Sequence, residues 1–430
     1  MGPTILAVET SKDFPTSAEV VIIGGGIVGL TTALTLAERN ISVVVLEKGH
    51  IVGEQSSRNL GWIRKTSRLA DDIPLALAAD KLWAKMPERV GSDVGYKQSG
   101  IMFLARTEQQ MEKHENWLKS VSHLGLDSKL LTPAEIATKV PGGKSQWIGG
   151  VYTPSDGRAE PTLASSAIAK AAMAKGVKVI ENCAVRTLKM SAGKVSGVIT
   201  EKGVIRCEQV LLAGGLWSRR FLGNMGVSLP TLPLICSVMR TKPMEGPTDI
   251  SVGAPDFSFR KHKDGGYIIT QRGALGSPIT LDHLLIGNRY MDQLRDQFGA
   301  LRIGVNKFSF QDLALARRWK EEQISPFEKL RTMDPTPSSA LNNEAMDNLR
   351  AAWPIFEKAE IEQVWAGAID VTPDTNPVIG AVEQIPGLTL ATGMSGHGFG
   401  TSPAVGHLAA DLISGYKPIV DPAPYRFDRF

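Results

Sequence analysis

Residues 20–49, VVIIGGGIVGLTTALTLAERNISVVVLEKG, constrain this chain more than any other stretch. Val20 to Ile23 is a short β-branched run that reads as a strand, Gly24-Gly25-Gly26-Ile27-Val28-Gly29 follows, and Leu30 to Arg39 has the composition and spacing of a helix. "SVVVLEKG" then predicts a second strand ending in Glu47, 18 positions after Gly29. Strand, GxGxxG, helix, strand and acid in that order make a dinucleotide-binding unit, whereas the glycine pattern alone is weak evidence. Gly24 permits the tight turn, Gly26 lets backbone approach a pyrophosphate, and Gly29 lets the helix close on the strands. The positive N-terminal end of the helix then faces the phosphates. Glu47 is placed to accept hydrogen bonds from ribose hydroxyls and to repel a 2′-phosphate. The unit does not separate NAD from FAD.

A second loop of this kind lies near the other end, in TLATGMSGHGFGTSPAVGHLAADLISG, where Gly393, Gly396, Gly398 and Gly400 precede a helix expected over 403–413 and follow a strand expected over 388–392. Glycine this dense places backbone against a ligand. Between the two, Val210 to Ala213 reads as a buried strand ending in Gly214-Gly215, and a turn at Asp156-Gly157 leads into a helix starting near Pro161.

A length of 430 residues suits two domains. Lys and Arg exceed Asp and Glu by only 48 to 44, too small an excess to argue for nucleic acid. Cys183, Cys207 and Cys236 are isolated and odd in number, and the histidines form no ligand spacing, so neither a disulfide framework nor a metal site is expected. Residues 1–18 are too polar for a signal or a membrane span and read as a mobile lead-in, and no later window suits a spanning helix.

The first loop with Glu47, the "VLLAGGLWS" strand, and "TPDTNPVIG" through "GMSGHGFG" resemble the D-amino-acid oxidase superfamily of flavoproteins. Within it, "GEQSSR", "ENCAVRTL", "VITEKG", "SLPTLP", "SPFEKLR" and "DPAPYRFDRF" are most similar to segments of the bacterial membrane-associated L-amino acid deaminases. The resemblance implies an α/β fold. Its Rossmann-type FAD-binding domain, glutathione-reductase-like, is discontinuous over 18–74, 150–226 and 356–418. An inserted α+β substrate domain over 75–149 and 227–355 is built on an antiparallel sheet and carries a helical insertion at about 280–332. It also implies one FAD spanning both loops. The FAD contacts expected are Gly24, Gly26, Ile27, Val28, Gly29, Glu47, Lys48, Gln55, Ser56, Ser57, Arg58, Gly61, Val185, Gly214 and Gly215, and on the second loop Gly396, His397, Gly398, Phe399, Gly400 and Thr401. Gly367 stands where sarcosine oxidases carry the cysteine of a covalent flavin bond, so FAD is expected to be non-covalent.

The carboxylate of an amino acid asks for a planar, permanently charged partner, which means arginine. The arginine that many D-amino-acid and glycine oxidases carry after "WAG" is missing here, where the chain has Ala368-Ile369-Asp370. The deaminases instead use an arginine on the hairpin after a "DG" turn, matching Arg272. Arg64, in "SSRNLGWIRKTSR", is the second candidate, because sarcosine oxidases use an arginine near that point. His397 is the third catalytic candidate, on a loop 396–400 expected to stabilise reduced flavin; Trp62, Gly398 and Phe399 are the expected substrate pocket, and Trp62, His397 and Phe399 depart from the deaminases. The expected reaction is oxidative deamination of an amino acid, L more than D, to a 2-oxo acid and ammonia, with oxygen or a respiratory chain as acceptor. Two alternatives stand beside it: oxidation of a D- or N-alkyl amino acid, and a non-catalytic flavin subunit that transfers electrons. The 280–332 stretch alternates apolar and basic residues, which suits either a peripheral membrane contact, on the inner face of the plasma membrane of a cytoplasmic protein, or a solvated cover.

Overall fold

The computed structural model describes residues 2–430, the side chains of Asp296 and Gln297 excepted. Val20–Ile23 lies between two other apolar runs, Val43–Leu46 and Gln209–Leu212, and pairs with both in parallel. The resulting six-stranded sheet runs 378–381, 388–392, 209–212, 20–23, 43–46, 178–180 and is parallel except at the edge strand Val378–Ala381. Strands covered on both faces need apolar side chains at successive positions, which is why VVII and VVVL do not alternate.

Two helices bring the glycine loops together. Ile27–Ala37 begins at Ile27, so Gly29 sits in its first turn, and Gly398–Ser414 begins inside the second loop rather than near 403. Pro403 inside that helix offers no N–H to the Phe399 carbonyl, and the Ser402 hydroxyl donates to it instead at 2.8 Å. The helices meet where a Cβ on Gly406 would lie 2.3 Å from Thr31 Oγ1, and that hydroxyl donates to the Ser402 carbonyl at 3.0 Å.

The second sheet has ten strands and is mainly antiparallel. Its spine is Leu232–Thr241 against Ile361–Val371, and the hairpin Ser258–Lys261/Tyr267–Thr270 turns at the expected Asp264-Gly265-Gly266, with Gly265 at φ +95. Two strands run across the expected division of the chain. Gly149–Thr153 pairs with Ile101–Ala105, and Ile361–Val371 pairs with Leu232–Thr241, so both are hydrogen-bonded into the second sheet although the boundaries at 150 and 356 assign them to the flavin domain. Local pattern identifies a strand but not the edge that receives it.

Two further expectations change. The stretch 280–332 is not a purely helical insertion but short helices at Leu281–Ile286, Met291–Gln297, Lys307–Ala314 and Pro326–Lys329, with strand Leu301–Gly304 joining the second sheet. Gly287, Gly299 and Gly304 punctuate it, each a weak point for continued helix. The lead-in is laid along the flavin domain: Ser11 N–H donates to the Val179 carbonyl at 2.8 Å and Ser166 Oγ to the Leu6 carbonyl at 3.0 Å. Strand Lys178–Ile180 is the open edge of its sheet, and an open edge accepts such a segment.

Candidate active site

At the first loop, sterics dictate glycine. Gly24 has φ +114, and a Cβ there would stand 2.4 Å from the Ala213 carbonyl; one on Gly29 would stand 2.2 Å from the Gly24 carbonyl. Gly26 differs, because a Cβ there would meet only Ser56 Oγ, at 3.0 Å. It keeps a cradle clear at the helix N-terminus, and Ile27 N–H is oriented by donating to that same hydroxyl at 2.8 Å. The half-buried Glu47 carboxylate accepts from Gly25 and Gly49 N–H, each at 2.8 Å, and desolvation raises its pKa above the usual carboxylate range.

The second loop is shaped by side chains from elsewhere. Asp370, fully buried and with its pKa raised by that burial, accepts from Gln55 Nε2 at 2.7 Å and from Gly393 N–H at 2.8 Å. Gln55 Oε1 in turn accepts from Leu216 N–H at 3.1 Å, so one carboxylate ties segment 53–58, the Gly214-Gly215 loop and the second glycine loop together. His397 precedes the helix Gly398–Ser414, and Arg64 Nη2 lies 3.0 Å from its Nε2. A guanidinium only donates, so Nε2 is the acceptor and the ring proton sits on Nδ1. Burial first, then the charges of Arg68 and Arg64, lower the His397 pKa well below the usual value and keep the ring neutral. Its Nδ1–H is buried without a partner in the chain, as is Trp62 Nε1.

Both loops open on one cavity of about 420 Å³, lined from Glu47 and Val185 through Gly24, Gly26, Ile27 and Val28 to Gly396, His397, Gly398, Phe399 and Gly400. Its far end holds Trp62, Arg64, Phe103 and Arg272. The Arg272 guanidinium lies 3.9 Å from the Phe103 ring centroid and donates to the Ala254 carbonyl at 3.2 Å, and the residue stays exposed to the cavity. Trp62 and Phe103 pack at 5.7 Å between ring centroids.

Residues 19–412 match the family described as FAD dependent oxidoreductase, DAO. The chain belongs to that family. The L-amino acid deaminase from Proteus myxofaciens, solved in complex with anthranilate, is 33% identical with a TM-score of 0.95, over 100% of this chain and 97% of that one. The glycine oxidase of Pseudomonas aeruginosa is 27% identical over 95% of this chain and 98% of its own length. Human mitochondrial sarcosine dehydrogenase is 24% identical over 100% of this chain, which spans only 43% of that protein.

The cavity of this DAO-family oxidoreductase fits FAD: a cleared cradle at one helix N-terminus, a second helix N-terminus at the other end, and unpartnered buried donors on His397 and Trp62 beside it. Most of the expected contacts line it, including Lys48, Gln55, Ser56, Arg58, Gly61, Gly214 and Gly215. Gly29, Ser57 and Thr401 stand behind the wall: Gly29 packs on Gly24, Ser57 Oγ donates to the Glu54 carbonyl at 3.1 Å, and Thr401 Oγ1 to the His397 carbonyl at 3.0 Å. Gly400 lines the cavity yet is required for another reason, since a Cβ there would lie 2.6 Å from the Trp62 carbonyl. Sequence reasoning missed Phe103, which carries no signal inside IMFLA. It also passed over Asp370, whose signal was an acid in the apolar strand WAGAIDV.

Proposed function

We propose that this enzyme oxidises the Cα–N bond of an L-amino acid, the resulting imine being hydrolysed to a 2-oxo acid and ammonia. The observation that carries the reading is Arg272, a guanidinium with no ion-pair partner among the described residues, exposed at the end of the cavity beyond the second glycine loop. Non-covalently bound FAD supplies the acceptor for the two electrons and the hydrogen that leave Cα. Arg272 binds the substrate carboxylate by a bidentate, charge-assisted pair and sets which face of Cα is presented. Trp62 and Phe103 wall the site against water. A substrate amine that enters neutral needs no base, and the His397 lone pair on Nε2 is already taken by Arg64. The likeness to an L-amino acid deaminase supports the L enantiomer.

Anaerobic mixing of the FAD-loaded enzyme with paired L- and D-amino acids tests this, the L series bleaching the flavin. Bleaching by D- or N-alkyl amino acids alone replaces the substrate reading. In Arg272→Ala the efficiency is expected to fall by about 30-fold to several thousand-fold, from the ~2–5 kcal/mol cost of leaving the bound substrate's carboxylate unpaired, with FAD content unchanged.

We further propose that residues 280–332 rest on an anionic membrane surface, the cytoplasmic face of the plasma membrane, and that a respiratory chain takes the electrons. Leu284 is 79% exposed, Leu313 68%, Phe298 65% and Phe310 64%, among Arg289, Arg295, Arg302 and Lys307, the mixture that favours an interfacial site. No helix among the described residues is long and apolar enough to cross a membrane. Flotation with anionic but not neutral vesicles, reduced in Leu284→Glu/Leu313→Glu, is the expected result; equal flotation of both proteins refutes the contact.

A further inference from the structure

Resting on the reading that Arg272 takes an α-carboxylate, we propose that the substrate carries a second carboxylate bound by Arg64, so that amino dicarboxylates, not neutral amino acids, are the preferred class. The basis is a charge imbalance at the far end of the cavity. Arg64 and Arg272 reach it from different elements and lie against one ring, their Cζ atoms 5.8 and 3.9 Å from the Phe103 centroid. The two guanidinium carbons are therefore no farther apart than those distances laid end to end, within the span of a short dicarboxylate.

Neighbouring cations are neutralised by the chain. Arg68 is paired with Asp72, and Lys65 lies 2.8 Å from Asp80 and 3.3 Å from Asp156. Arg64 and Arg272 have no such partner among the described residues. Arg64 donates to the Thr66 carbonyl and to His397, Arg272 to the Ala254 carbonyl, and all three acceptors are uncharged.

The acids that line the cavity are committed elsewhere. Glu47 holds the Gly25 and Gly49 amides, Glu54 holds Lys48 and Trp217 Nε1, and Asp370 holds Gln55 and Gly393. Burial leads the causes that lower Arg64 to about 9, followed by the like charges of Arg68 and Arg272. Arg64 is half-buried and Arg272 exposed to the cavity, and two guanidinium groups lining one cavity without a carboxylate partner give it a positive field, so the missing anions belong to what the site binds. A substrate with a single carboxylate compensates one guanidinium and leaves the other stranded. Negative charge that arises at the flavin only on reduction is absent while the site fills.

Two substrate shapes share this chemistry: a carboxylate on the side chain, or one on an N-linked carboxyalkyl group. In the first, loss of hydride from Cα and hydrolysis of the C=N bond release ammonia. In the second, the same two steps release an amino acid as the amine product.

The test mixes FAD-loaded enzyme anaerobically with matched pairs at sub-saturating concentration: L-glutamate and L-glutamine, L-aspartate and L-asparagine, and an N-carboxymethyl amino acid with its N-carbamoylmethyl counterpart. Flavin reduction is expected to favour the acid by at least about 30-fold in one set, and the set that responds identifies the shape. Arg64→Met brings that ratio close to one and Arg64→Lys restores part of it, whereas Arg272→Met slows acid and amide alike. Calorimetry on the same holoenzyme with glutarate and its half-amide gives a readout independent of turnover. Tighter binding of glutarate, lost in Arg64→Met, supports the second site. Equal rates for acid and amide in every set, with equal binding of glutarate and its half-amide, overturn it while leaving amino acid oxidation intact. If no amino acid reduces the flavin, the reaction reading fails by itself and the calorimetry still decides the dicarboxylate site.

Discussion

The two glycine loops use one design and are secured in opposite ways. Each follows a strand of the same sheet, opens a helix and points that helix at the same cavity. The first is shaped by main-chain contact, Gly29 against the Gly24 carbonyl and Gly24 against that of Ala213, where no side chain fits. The second is held from outside, by Asp370 through Gly393, by Arg64 through His397, and by Trp62 against Gly400. A loop fixed by local sterics announces itself in a short motif, while a loop fixed by distant partners does not.

Breaking the first loop has the largest expected effect. Gly29→Val places carbon within 2.2 Å of the Gly24 carbonyl, which has no room to move, and Gly26→Val fills the cradle. Both proteins are expected to purify without flavin and to bind neither FAD nor ADP, measured by the visible-to-ultraviolet absorbance ratio and by calorimetry; a yellow Gly26→Val protein contradicts the cradle. Asp370→Ala sharpens the comparison. It strands Gln55 and the Gly393 amide at a cost of about 1–3 kcal/mol, so FAD affinity falls roughly 10- to 100-fold while ADP, which engages the first loop alone, binds as before. An equal loss for ADP shows that the loops are not independently secured.

The smallest effect is on pH. His397 titrates near 6.5 when unfolded and well below that when folded, so below about pH 6.5 the unfolded chain binds the extra proton. The contribution of His397 to stability is whole above that pH and declines as pH falls. Relative to wild type, His397→Gln is expected to flatten the acid side of the stability profile by up to about 1.4 kcal/mol per pH unit, read from urea unfolding between pH 7 and 5. Parallel profiles indicate a histidine that is protonated in the folded protein.

Much of the flavin site was legible in advance, because strand, glycine turn and helix are short-range events. Strand 388–392 lies where the pattern puts it, and Gly24, Gly26 and Glu47 stand in the cavity wall. The lead-in at residues 2–18 and the broken 280–332 module were not legible, since their conformation answers to a sheet edge formed by remote segments.

By itself the sequence determined that this chain builds a dinucleotide loop, recruits a second glycine loop and carries the residues of an FAD-dependent oxidoreductase, because those features depend on backbone geometry over a few residues. Tertiary structure alone decided what Arg64 faces. Arg68 has an acid four positions on, Asp72, and pairs with it, whereas the residue four positions on from Arg64 is Arg68 itself. Folding brings the half-buried Arg64 against Phe103 and His397 at the cavity, where Arg272 joins it from a distant strand end, and a charge acquires its function from the counter-ion the fold withholds.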